Sequence, residues 1–254
     1  NIDYSLIENE SQYKIILNLD KQWLNAPERR YPIYIDPTIT NTGQSDALQD
    51  TYIYPNDTNV DRNSHASLKA GVEKVNGQNI VNRTLLKFDL PEIGTGSEVI
   101  NAEVMLIGYP SLNGGGGWNS TAKMVEVHRV TEDWNEETAN WEQMNDKYDS
   151  KIESLFESYR SAMEGTSIDS VLCGFSITNL AKKWYKDISN YGIMLKSVNE
   201  EYIDDDYPSY FSKSSGLTPN PQPVFSITYR NQNGLESYIC LLYTSPSPRD
   251  LSTS

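Results

Sequence analysis

Basic residues, histidine and cysteine are all scarce in this 254-residue chain. There are 21 Lys and Arg against 35 Asp and Glu, a formal net charge of -14. A polyanionic partner needs a basic face, so this balance excludes a general nucleic-acid binder and argues equally against docking on anionic lipid. No apolar run approaches the roughly 20 residues of a membrane-spanning helix, so no membrane span is expected. Cys173 and Cys240 allow at most one disulfide, which excludes a disulfide scaffold and a four-cysteine zinc site. His65 and His128 sit far apart, in no metal-ligand spacing. There is no Gly-x-Ser-x-Gly elbow, and the glycine loop at 114–117 lacks the Gly-Lys-Ser/Thr of a phosphate cradle. The initiator Met is missing too. The chain opens mid-pattern with Asn1-Ile2-Asp3-Tyr4 and reads as an internal piece of a longer protein.

Amphipathic aromatics are abundant: 17 Tyr and 5 Trp against only 5 Phe. Each has a flat apolar face and a polar handle, a mix that suits solvent-facing β structure and sugar-stacking surfaces. Short β-branched and aromatic runs recur at 13–19, 31–35, 51–54, 67–70, 84–88, 100–109, 125–130, 193–196, 210–212 and 224–229. Ala102, Val104, Leu106 and Gly108 fall on one face of the long strand at 100–109. A short helix is expected from Thr178 to Asp187, with Thr178 as cap and Leu180, Ala181 and Trp184 on one side. A second helical period is readable over 151–163, where Ile152, Leu155, Phe156 and Tyr159 form a stripe. Many short strands, loops rich in Gly, Asn, Asp and Pro, and few helices predict an all-β fold, an antiparallel jelly-roll-like β-sandwich with one or two short helices.

An ordered set of these segments resembles the DNRLRE domain, a β-sandwich family related to carbohydrate-binding modules. The pieces are Asp50-Thr51-Tyr52-Ile53, the run Arg83 to Pro91, Ile100 to Val104, and Val127 to Trp134 with Glu136, Glu137, Thr138 and Trp141. Phe175 to Thr178 with Trp184, Asn190 to Ile193, and Pro223 to Tyr229 complete it. The segment from Trp23 to Ile39 is similar to what precedes this domain in very large bacterial wall-associated and RHS-repeat proteins. Asn233 to Tyr238 is similar to the start of their next module. On this reading residues 1–40 end an upstream β-rich segment, 41–230 form the sandwich, and 231–239 link to a following module. Residues 240–254 resemble a translated sequencing adapter and are set aside. The resemblance implies a jelly-roll-like sandwich, export and a place in a long cell-surface chain beside adjacent modules; it does not imply an activity.

Candidate chemistry is sparse. Glu132-Asp133, Glu136-Glu137 and Asp204-Asp205-Asp206 read as solvated loops rather than acid/base pairs, since a glycosidase needs two carboxylates at a set separation. Cys173 reads as a core thiol. Trp134 and Trp141, flanking Glu136 and Thr138, offer either a sugar platform or a packed corner; their place in the family pattern favours the corner. Arg83 and Asp89 share a strand face, which suggests a structural polar contact. Outside the pattern, Trp118, Tyr207 and Tyr210 are the candidate sugar-stacking residues. Asp50, Asp57 and Asp61 are candidate oxygen ligands for a structural Ca²⁺, with solvated loop carboxylates the alternative. The expected function is a non-catalytic extracellular module binding a polysaccharide or cell-wall glycan. The rivals are a passive spacer in an RHS or polymorphic-toxin-like protein and a polysaccharide hydrolase or lyase. An exposed aromatic groove separates the first from the second.

Overall fold

The computed structural model describes residues 2–9, 12–24, 26, 48–57, 66–108, 123–158, 163–164, 167–168, 172–201, 207–216, 222–232, 234 and 236–241. The chain divides into two units, Asn1–Asp36 and Pro37–Ser254. In the first, β1 (Ile2–Asn9) and β2 (Gln12–Leu19) form an antiparallel hairpin followed by a helical turn, α1 (Lys21–Leu24).

The second unit opens with β3 (Leu48–Ile53), β4 (Ser67–Lys69), β5 (Gly71–Val75), β6 (Gln78–Phe88) and β7 (Glu98–Ile107). Then come β8 (Lys123–Val130), a helical turn α2 (Trp141–Met144), β9 (Tyr148–Ser158), β10 (Met163–Glu164), β11 (Ser167–Ile168) and β12 (Leu172–Ser176). The helix α3 (Thr178–Trp184) precedes β13 (Ile193–Ser197), β14 (Ser209–Phe211), β15 (Val224–Arg230) and β16 (Glu236–Leu241). Two antiparallel sheets form the sandwich, beside the two-stranded pairs β4–β14 and β10–β11. One runs β3-β6-β13-β8-β9, with β5 also paired to β6; the other runs β12-β7-β15-β16. The last strand, β16, carries its pairing through Cys240 and Leu241, past the boundary drawn at 239.

The inward faces alternate as a half-buried strand must. Ala102, Val104 and Leu106 are fully buried while Glu103 and Met105 point outward. Across the sandwich they meet Leu86, Phe88, Val125, Val127, Ile193 and Leu195. Ring pairs join the sheets, Phe88 on Phe225 at 5.5 Å and Phe156 on Phe175 at 4.6 Å. Leu180, Ala181 and Trp184 of α3 add to the same core. The all-β sandwich expected from the sequence is the observed architecture.

A second apolar cluster lies on the outer face of the larger sheet. Ile53, Leu85, Val130 and Met194 are roofed by Trp134, Ala139 and Met144 from the segment after β8. The Trp134 indole N–H donates to the Tyr191 carbonyl at 2.8 Å, which satisfies its polar handle. Asn140 caps α2 by accepting the Gln143 amide at 3.0 Å.

Two local expectations fail. Residues 151–158, expected to be helical, belong to the edge strand β9. Ile152 and Leu155 are about half exposed, Phe156 enters the core, and Tyr159 of that stripe lies outside the described residues. The β8–β9 register shifts at Val127/His128 and again at His128/Val130, and each irregularity breaks the two-residue period that would have marked a strand. Thr178 makes no side-chain cap to α3. Its hydroxyl accepts the Ala102 amide at 2.9 Å instead, tying the helix start to β7.

Candidate functional site

The two described sugar-stacking candidates differ in exposure. Trp118 lies outside the described residues. Tyr210 is fully buried, packed against Phe156 at 6.4 Å, and its phenol is pushed far above the ordinary range by burial. Its position opposite Leu68 in the β4–β14 ladder turns the ring into the core, so it has no face for a ligand. Tyr207 alone sits half-buried at the surface.

Around Tyr207 the chain assembles a site that sequence reading did not foresee. Tyr52 is the penultimate residue of β3, paired with Thr84, and the strand's alternation sends Tyr54 to the same side. The two rings stack at 5.7 Å with 24° between planes. The Thr84 hydroxyl donates to the Lys69 carbonyl at 2.8 Å and so holds β4 beside β6. The Ala70 amide donates to the Pro208 carbonyl at 3.0 Å, which brings Tyr207 alongside. The Lys69 ammonium then lies 5.5 Å from the Tyr52 ring centroid and 5.2 Å from that of Tyr207. Glu73, four residues on, takes Lys69 at 2.8 Å on one carboxylate oxygen and the Tyr207 hydroxyl at 2.9 Å on the other. The Lys69 and Glu73 side chains keep 19% and 23% of their surface exposed, so the pair is screened from bulk water yet reachable. Three tyrosines, one ammonium and one carboxylate thus converge beside β3, β4 and β5; Tyr52 is itself buried against Tyr54, so Tyr54 and Tyr207 are the partly exposed rings. Such a set offers flat C–H-accepting faces together with one hydrogen-bond donor and one acceptor. The available signal was the Tyr52-x-Tyr54 spacing, masked because tyrosine is common throughout the chain.

The carboxylate candidates resolve differently. Asp50 is 4% exposed, and its two oxygens accept the Ser212 hydroxyl at 3.1 Å and the Lys213 amide at 2.7 Å. Burial raises its pKa from 3.8 to about 6, against the pull of Lys213. The Lys213 ammonium donates to Glu136 at 2.6 Å and to the Leu48 carbonyl at 2.7 Å, while Glu136 also accepts the Asp50 amide at 3.1 Å. This knot fastens β3 to two loops. Both Asp50 oxygens are engaged by donors and an ammonium stands beside them, so Asp50 does not suit a Ca²⁺ ligand. Asp57 is half-buried, and Asp61 lies outside the described residues. No three His, Cys, Asp or Glu side chains gather as a metal site among the described residues.

Other singled-out residues are structural. Arg83 makes a bidentate pair with Glu200 at 2.8 and 2.7 Å, donates to the Asn145 carbonyl, and lies over the rings of Trp141 (4.9 Å) and Tyr148 (5.5 Å). Asp89, expected on the same strand face, lies one residue past the end of β6 and is exposed. Cys173 is buried with its sulfur 3.8 Å from the Ser158 hydroxyl, a core thiol as expected. Trp134 and Glu136 form the packed corner rather than a platform.

Comparison with known proteins points the same way as the aromatic site. The chain is 36% identical over 74 residues to the tRNA nuclease WapA of Bacillus subtilis strain 168, and equally so to the tRNA(Glu)-specific nuclease WapA of Bacillus subtilis subsp. natto. It is 40% identical over 47 residues to the tRNA3(Ser)-specific nuclease WapA of Bacillus spizizenii. These stretches cover 29% or 18% of this chain, and it spans only about 3% of the length of the first two relatives and 2% of the third. Residues 41–216 match the family profile described as carbohydrate-binding module family 96, which takes in all five members of the tyrosine site. With most of its length under that profile, the chain belongs to carbohydrate-binding module family 96.

Proposed function

We propose that the chain is a non-catalytic module that holds a polysaccharide through the site formed by Tyr52, Tyr54, Tyr207, Lys69 and Glu73. The observation that carries this reading is the convergence of a stacked tyrosine pair and a third tyrosine on one ammonium–carboxylate pair. Pyranose rings present C–H faces that pack on aromatic faces, and their hydroxyls bond to the polar pair. Lys69 and Glu73 are bonded to each other, an arrangement suited to holding a ligand rather than transferring protons. The ligand class is a glycan of a cell wall or matrix. The module serves as one segment of a large exported surface protein of the DNRLRE-bearing, RHS-repeat kind; that it spans only about 3% of the first two relatives is in keeping with one segment of a long chain.

The test is retention of the intact chain on immobilised polysaccharides, with Tyr54→Ala and Tyr207→Ala beside the wild type. Loss of one stacking face is expected to weaken binding about tenfold, near 1.4 kcal/mol, without shifting the thermal midpoint by more than a few degrees. No retention on any wall or matrix polysaccharide by the folded chain would favour a second reading, a passive spacer between neighbouring modules. The burial of Tyr210 is the observation on that side, because it removes one of the expected platform residues.

A further inference from the structure

We propose that His128 is a proton-dependent clasp on the edge strand β9, closed while both ring nitrogens carry a proton and opened when one proton is lost. β8 and β9 pair regularly from Lys123↔Ser158 to Val127↔Ser154, and then the ladder breaks. His128 faces Ile152 and Val130 faces Tyr148, so residues 149–151 of β9 bulge opposite Arg129 alone. Side chains of β8 hold this bulge. The His128 Nδ1 lies 2.9 Å from the Asp149 carbonyl oxygen, and the Arg129 guanidinium donates to the Asp149 carboxylate at 3.0 Å. That carboxylate also accepts the Lys151 amide at 3.1 Å, within the bulge itself.

The other ring nitrogen, Nε2, lies 3.1 Å from a Glu126 carboxylate oxygen, which also takes the Lys196 ammonium of β13 at 3.1 Å. A carbonyl oxygen and an ionised carboxylate only accept, whereas a neutral imidazole has one donor and one acceptor nitrogen. Making both bonds therefore requires two N–H groups, which is the imidazolium. Glu126 is ionised to receive it. Burial raises its pKa, but the His128 and Lys196 bonds outweigh that and hold the carboxyl below the usual carboxylate range. The charged groups around the ring are Glu126 and Arg129 on β8, Asp149 on β9 and Lys196 on β13, with Lys183 of α3 also acting on Asp149. Tyr148 packs its ring against the imidazole at 4.9 Å, and His128 is 3% exposed, so bulk water does not stand in for a lost partner. When rising pH removes one proton, a nitrogen lone pair faces an acceptor, either the Asp149 carbonyl or the Glu126 carboxylate. The ring must turn to relieve that repulsion, and turning draws Nδ1 off the Asp149 carbonyl. Glu126 keeps Lys196, so the edge strand yields and not the sheet interior.

NMR of the ring nitrogens in the intact chain tests this, in a His65→Gln background that leaves one imidazole. At about pH 7 a free imidazole is mostly neutral, whereas His128 should show both ring nitrogens protonated. Raising the pH until the ring turns neutral should lower the amide-exchange protection of residues 149–152 at least about tenfold relative to Val127 and Leu195 on the β8–β13 ladder. Glu126→Gln offers Nε2 an amide N–H in place of a carboxylate. In that variant the ring should be neutral at about pH 7, and the protection of 149–152 should no longer depend on pH. A singly protonated His128 in the folded parent at about pH 7 would overturn the proposal, whether or not the variant folds. So would a ring that loses its proton while 149–152 stay protected, or open only together with Val127 and Leu195.

Discussion

Asp50 carries the clearest pH signature of any described residue. Its carboxyl has a folded-state pKa of about 6 against the ordinary 3.8, because burial disfavours the anion. The folded state therefore binds the proton more tightly than the unfolded chain. The stabilisation is complete below about pH 4 and is lost as pH rises through about 6, a loss on the order of 3 kcal/mol. Asp50→Asn keeps an oxygen for the Lys213 amide and an NH₂ that can donate to the Ser212 hydroxyl, and has no charge to lose. Denaturant unfolding of both proteins from pH 4 to pH 7 should show the wild type falling relative to the variant; parallel curves would refute the raised pKa. Gly192 gives a second residue-scale prediction. Its φ is +83°, and a Cβ there would stand 2.1 Å from the Leu86 carbonyl oxygen. Gly192→Ala combines a strained backbone with a clash against a paired strand, and should cost about 3 kcal/mol or more in the same assay.

At the scale of elements, what was readable followed the regularity of each strand. The face of β7 was legible because Ala102, Val104 and Leu106 alternate with Glu103 and Met105 without interruption. α3 was legible because Leu180, Ala181 and Trp184 share a side. β9 was misread because two irregularities erase its period and leave apolar residues at helical spacing. β5 was passed over although Asn76-Gly77, at φ 51° and 80°, is the turn that a tight hairpin favours. The tyrosine site was mostly illegible, since Lys69 and Glu73 reach Tyr52 and Tyr207 only through the β3–β6 pairing and the β4–β14 ladder. Two predictions belong here. Phe156→Ala removes the edge strand's ring from its 4.6 Å stack on Phe175 and should cost about 3–5 kcal/mol by chemical denaturation. Arg83→Leu with Glu200→Leu should show a coupling of about 1–3 kcal/mol in a double-mutant cycle, because both side chains are less than one-fifth exposed.

For the whole molecule, acidity and fold act together. The whole chain carries a net charge of -14, and several cations of the sandwich, Arg83, Lys196 and Lys213 among them, are taken up in ion pairs. The fold class was accessible from composition and turn residues alone, whereas the site depends on long-range pairing that no local pattern encodes. One buried side chain gives the sandwich an internal clock. Cys173 lies on β12, whose one ladder partner among the described residues is β7 and whose core neighbours reach across to β9. In a Cys240→Ser background its thiol would meet a dissolved disulfide reagent only when that margin parts. The rate of labelling would then time the opening of the margin in the intact, ligand-free or ligand-bound protein.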